Sequence, residues 1–119
     1  GGGVAMIGLG ESDSDRRAEE AIEEAINSPL IDVDISTATG ALINVTGGTD
    51  MTVSEAEKTA EIVQARISPN ARIIWGAAVD PSIQHTLLVM LILTGVKSKQ
   101  IYGPGEVLRG REAGVDVVR

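Results

Sequence analysis

The segment Thr86-Leu87-Leu88-Val89-Met90-Leu91-Ile92-Leu93-Thr94 sets the terms for the whole chain. It carries no charge, and its only polar groups are the threonines at its ends. A membrane helix needs roughly 20 apolar residues, far more than this run offers. An apolar run of this length, continued to Val96, predicts a central strand covered on both faces. Such a strand needs neighbours in a sheet and a layer packed against each face.

Two stretches have the periodicity to supply one layer. Ala18, Ala21, Ile22, Ala25 and Ile26 recur at helical spacing, after the polar turn Glu11-Ser12-Asp13-Ser14 and before the stop Asn27-Ser28-Pro29. Glu19, Glu20, Glu23 and Glu24 lie mostly off that stripe and read as a solvated face rather than as metal ligands. The second helix opens on Thr52-Val53-Ser54-Glu55, a capping box in which Thr52 and Glu55 satisfy each other's backbone N–H groups. Its expected buried stripe is Val53, Ala56, Ala60, Val63 and Ile67, with Glu57 and Glu61 together on another face and Ser68-Pro69-Asn70 as the stop. Residues 4–9, 41–45, 71–79 and 86–96 read as the main strands, and the alternating Ile31-Asp32-Val33-Asp34-Ile35 as an edge strand or extended loop.

The order β-α-β-α-β-β, with each helix between strands, predicts an α+β layer fold with both helices on one side of the sheet. The other face must then meet protein that a chain of 119 residues does not itself provide. After Gly95 the chain turns basic and glycine-bearing, so residues 1–96 form the expected core and 97–119 a peripheral hairpin and tail.

Composition narrows the function classes. The net charge is −7 and the pI near 4.6, which argues against a nucleic-acid or anionic-membrane surface. There is no cysteine, so disulfide and thiolate chemistry are excluded, consistent with a cytoplasmic setting. Gly47-Gly48 lies between a strand and a helix, where backbone N–H groups often cradle phosphate. The Lys and Ser/Thr of a P-loop are missing, and Asp50 and the acids after it would repel the ligand. Gly8-Leu9-Gly10 lacks the third glycine of a dinucleotide fingerprint. His85 is the only histidine, which leaves no zinc set, and Asp80 before Pro81 reads as a turn acid. Trp75 reads as packing rather than ligand stacking. No nucleophile–base–orienter set can be assembled, so no activity is expected of this chain alone.

Several segments together resemble one family. "GVAMIGLGES", "RRAEEAIEEAINSPLIDVDISTATGALINVTGG", "ARIIWGAAVD" and "LLVMLILTGV" resemble, in register over residues 1–96, the C-terminal domain of FtsZ, the tubulin-like cell-division GTPase, with wording nearest to archaeal members. The resemblance implies a four-stranded mixed sheet in the order first-fourth-second-third with two main helices on one side. It implies GTP as cofactor and GTPase activity in a full-length protein, with no cofactor in this part. The family's glycine-rich nucleotide loop is absent here, and its acidic synergy loop would lie just before residue 1. The abrupt start inside a strand fits a piece of a longer chain.

By position, Asp50, Met51 and Glu57, with Glu61 beside them, match the lower surface that meets the nucleotide-bearing top of the next subunit in a filament. Implied partners are other FtsZ subunits and the protein's own N-terminal GTP-binding domain, in the cytoplasm at the division site, with no nucleic acid and no direct membrane insertion. The ending "AGVDVVR" resembles an archaeal tail that binds a SepF-type membrane anchor, through Gly114, Val115 and Asp116. Two other readings stay open on the residues alone. One is a small oligomeric enzyme of chorismate-mutase-like architecture, which would need cationic residues converging on a pocket, whereas Arg16, Arg17, Arg66 and Arg72 sit near helix ends and show no such grouping. The other is a small-ligand regulatory module.

Overall fold

The computed structural model describes residues 4–28 and 33–98. The elements are β1 (Val4–Ser12), α1 (Arg17–Ile26), β2 (Val33–Asp34), a 3₁₀ turn (Ile35–Thr37), β3 (Gly40–Gly47), α2 (Val53–Gln64), β4 (Arg72–Val79) and β5 (Leu87–Ser98). The apolar run is indeed central. β5 pairs antiparallel with β1 on one side and with β3 on the other, and β3 pairs in parallel with β4. The sheet order is therefore β1-β5-β3-β4, the first-fourth-second-third arrangement of the main strands. Of the alternating segment 31–35, residues 33–34 form β2, which pairs with the far end of β5.

Strand alternation sorts the side chains into two faces. Leu87, Val89, Leu91 and Leu93 of β5, with Ala41, Ile43 and Val45 of β3, point at the helices and are buried. They meet Ala18, Ala21, Ile22, Ala25 and Ile26 of α1, all buried as the periodicity predicts. The small residues let α1 lie directly on β1. A Cβ at Gly10 would sit 2.0 Å from the Ala21 carbonyl oxygen, so no larger residue fits there.

The second helix departs from its expected stripe. Ala56, Val63 and Ile67 are buried and Ala60 is half-buried, but Val53 is 69% exposed. Val53 is the first residue of α2, and Met51, packed against Gly47, fills the core space at that end instead. Thr59 is fully buried in the stripe, its hydroxyl satisfied by donating to the Ala56 carbonyl at 2.7 Å.

As the order of helices and strands predicts, both helices pack on the same side of the sheet, and among the described residues nothing covers the other face of β5. On the opposite face Ile7 is 46% exposed, Leu9 54%, Leu42 41%, Ile74 56% and Leu88 36%, with Met90 and Ile92 half-buried between them. The strand pairings put these residues side by side: Ile7 and Leu42 flank Ile92, Leu9 flanks Met90, and Ile74 neighbours Leu42. Soluble monomers seldom leave an apolar surface of this kind bare.

Candidate functional site

β1, β3 and β4 all run opposite to β5, so Ser12, Gly47 and Val79 gather at one end of the sheet. Both helices start at that end, and it is where the two glycines lie. A Cβ on Gly48 would stand 2.2 Å from the Ile83 carbonyl oxygen. One on Gly47 would stand 2.7 Å from Leu87 and 2.8 Å from Met51. The Asp80 N–H donates to the Gly47 carbonyl at 2.8 Å. The glycine pair thus makes room for segment 80–86 and for Met51 to pack on the end of β3, a close-approach role.

Arg17 organises this end. It falls on the buried stripe of α1 and is only 8% exposed. Its Nε and Nη2 donate to the two Glu55 carboxylate oxygens at 2.6 and 2.9 Å, a bidentate fork. Nη1 donates to Asp50 Oδ2 at 3.0 Å, and Nη2 also reaches the Asp50 carbonyl at 3.2 Å. Glu55 does double duty, because the capping box is present: Glu55 N–H donates to Thr52 Oγ1 at 3.2 Å and Thr52 N–H to Glu55 Oε1 at 3.0 Å. His85, in the left-handed region at φ 59°, places Nδ1 3.4 Å from Asp50 Oδ2.

The hydrogen bonds from Arg17 hold the carboxyls of Glu55 and Asp50 below their ordinary range, against the opposing effect of desolvation. Glu55 in turn pushes the Arg17 guanidinium up, so it is charged at every relevant pH. A carboxylate with a depressed folded pKa stabilises the fold above its unfolded value and loses that contribution as pH falls through the folded value. Stability should therefore hold down to the ordinary carboxylate range and decline below it. Glu55→Gln keeps a capping-box acceptor but loses the charged fork. It should cost about 2 kcal/mol at neutral pH and flatten the acid limb, as read by urea unfolding at several pH values.

Asp50, Glu57 and Glu61 are exposed and Met51 is half-buried. Asp50 and Met51 sit together in the turn before α2. Glu57 and Glu61 lie on the exposed side of α2, Glu61 about 6 Å further along the axis. Gly114, Val115 and Asp116, with the rest of 99–119, lie outside the described residues. Arg16 and Arg66 do share an open groove with Lys58, but Glu19, Glu20 and Glu23 line it too, and Arg16 pairs with Glu19 and Arg66 with Glu23. Arg17 and Arg72 are not part of that groove, and Arg17 pairs with Asp50 and Glu55. The α1 acids are more engaged than a plain solvated face, since Glu20 accepts from Ser12 and Ser14, and Glu24 from the Glu11 N–H. Among the described residues no cluster of three or more His, Cys, Asp or Glu could hold a metal, and no helix is long and apolar enough to cross a membrane.

Sequence reasoning named Arg17 and His85 but did not place them at this end of the sheet or pair them with Asp50 and Glu55. The pairing of Arg17 could have been found, since it sits four residues before Ala21 on an otherwise apolar stripe, and a buried arginine needs acids.

Residues 3–97 match the family model for the FtsZ family, C-terminal domain. The chain belongs to the FtsZ family. It is 51% identical to cell division protein FtsZ 1 of Archaeoglobus fulgidus over 118 residues, covering 99% of this chain and 32% of that protein. It is 54% identical to cell division protein FtsZ of Haloferax mediterranei over 121 residues, again covering 98% of this chain and 32% of the relative. The chain thus spans about a third of the length of these FtsZ relatives. Among solved structures, the empty FtsZ dimer of M. jannaschii superposes with a TM-score of 0.76 at 47% identity, over 86% of this chain and 33% of that one. The GDP-bound CetZ1 monomer of Haloferax volcanii shares the fold alone, at TM-score 0.67 and 15% identity over 79% of this chain and 30% of that one. The FtsZ match displaces the chorismate-mutase-like and ligand-module readings.

Proposed function

We propose that this chain is the polymerisation domain of an archaeal FtsZ, acting in cell division as one third of a longer GTPase. The observation that carries the proposal is the uncovered apolar sheet face on a chain matching only the C-terminal domain of its relatives. That face suits the protein's own N-terminal GTP-binding domain. The acidic end bearing Asp50 and Met51, flanked by Glu57 and Glu61, suits the head-to-tail contact with the next subunit, whose nucleotide it would cover. GTP belongs to the other domain, and hydrolysis needs two subunits in contact. The working site is the cytoplasmic division plane, with a SepF-type anchor reached through Gly114, Val115 and Asp116.

Two titrations test this. The purified 119-residue chain should neither bind nor hydrolyse GTP, whereas the full-length product should do both and form filaments. Micromolar GTP binding or phosphate release by the chain alone would overturn the assignment of nucleotide to the other domain. A full-length product that hydrolyses GTP without assembling would overturn the filament role.

A further inference from the structure

We infer that Arg17 is the positioning residue of the lower contact surface, holding the Asp50 turn and the start of α2 in the geometry the next subunit meets. The inference rests on the proposed head-to-tail contact at this end. Arg17 itself is buried, so it acts through the groups it holds. Those groups come from two places. The fork on Glu55 fixes the first turn of α2, and the bonds to the Asp50 carboxylate and carbonyl fix the turn before it.

Apart from this clamp, the turn has few restraints. One backbone bond, Met51 N–H to the Gly48 carbonyl at 3.1 Å, closes it, and Met51 packs beneath it. Thr49 and Asp50 are exposed at its tip. Asp50 keeps 42% of its side chain open while its Oδ2 is engaged by Arg17 and approached by His85, so it is presented outward in a set orientation. Holding a contact loop in its bound shape removes an ordering cost that each association step would otherwise carry. A planar guanidinium grips Glu55 through two parallel bonds while a third N–H reaches Asp50, a fork that an ammonium cannot reproduce.

The test uses the full-length protein with Arg17→Lys, Arg17→Met and Glu55→Gln. Assembly is followed by sedimentation and light scattering, the folded fraction by circular dichroism, and nucleotide by GTP titration. The critical concentration should rise roughly three-fold for Arg17→Lys and about ten-fold or more for Arg17→Met, with GTP affinity unchanged. Because only the lower end is loosened, folded Arg17→Met should still be joined through its nucleotide-bearing end. It should therefore shorten wild-type filaments at sub-stoichiometric ratios, which a loss of folded protein would not do.

Wild-type assembly by folded Arg17→Met, or full rescue by Arg17→Lys, would overturn the inference. So would a rise that only tracks the unfolded fraction. If Arg17→Met does not fold, Glu55→Gln decides, since it retains the cap: a raised critical concentration at full folding supports the clamp, and an unchanged one refutes it. Normal assembly by Asp50→Ala/Glu57→Lys would instead refute the underlying contact reading. Loss of assembly there with normal Arg17 variants would refute the clamp alone.

Discussion

Asp50→Ala combined with Glu57→Lys should abolish filament assembly by the full-length protein while leaving GTP binding intact. Both acids are exposed near the end of the sheet that gathers the helix starts. Asp50→Ala removes a charge and Glu57→Lys reverses one, so the charge pattern that this end presents to the proposed contact is altered at two points. The expected loss in subunit affinity is about a hundred-fold, enough to put the critical concentration above working protein levels. On the proposed head-to-tail contact, GTP hydrolysis should fall with assembly. The fold should survive: Arg17 keeps its fork on Glu55, and the Thr52–Glu55 cap is untouched. Light scattering and phosphate release measure the effect, with circular dichroism and GTP titration as controls. Normal assembly would place this face in solvent along the filament, and lost folding would make the acids structural.

Leu42→Glu should separate the chain from the whole protein most sharply. Leu42 lies at the middle of the bare sheet face, between Ile92 of β5 and Ile74 of β4. In the isolated chain it is partly in water, so a glutamate there should change stability by no more than about 1 kcal/mol. In the full-length protein the same glutamate would be an unpaired charge trapped between two domains, costing about 3 kcal/mol or more. Thermal unfolding of both forms gives the comparison. Equal shifts in the two would show that nothing covers this face.

The layer plan was legible because it rests on local spacing. The α1 stripe, the capping box at Thr52 and Glu55, and the sheet-central run at 86–96 each declare themselves within a dozen residues. The strand order came from the family resemblance rather than from periodicity, since period-two patterns say which face a residue takes and not which strand lies beside it. The Arg17 clamp was illegible for the same reason. Its partners lie 33 and 38 residues away and are brought near only by the gathering of three strand ends. Val53 shows the converse failure. A correct helical period assigned it to the core, but the helix begins where Met51 has already filled the space. The position of Asp50 could be matched to an interface, yet its tie to Arg17 could not be seen.

The place of β5 has a consequence for how the domain comes into being. The innermost strand, against which β1 and β3 both align, is the last of the main strands to be synthesised. Until Leu87–Ser98 has emerged, β1 has no sheet partner, and α1 has only β1 and α2 to pack on. The parallel pair β3–β4, with α2 across it, needs no part of β5. Pairing residues such as Glu11 with Leu88 closes a loop spanning most of the domain, which makes nucleation slow. A chain truncated before Leu87 should therefore fail to complete the sheet, because β1 and β3 would lack the strand that lies between them.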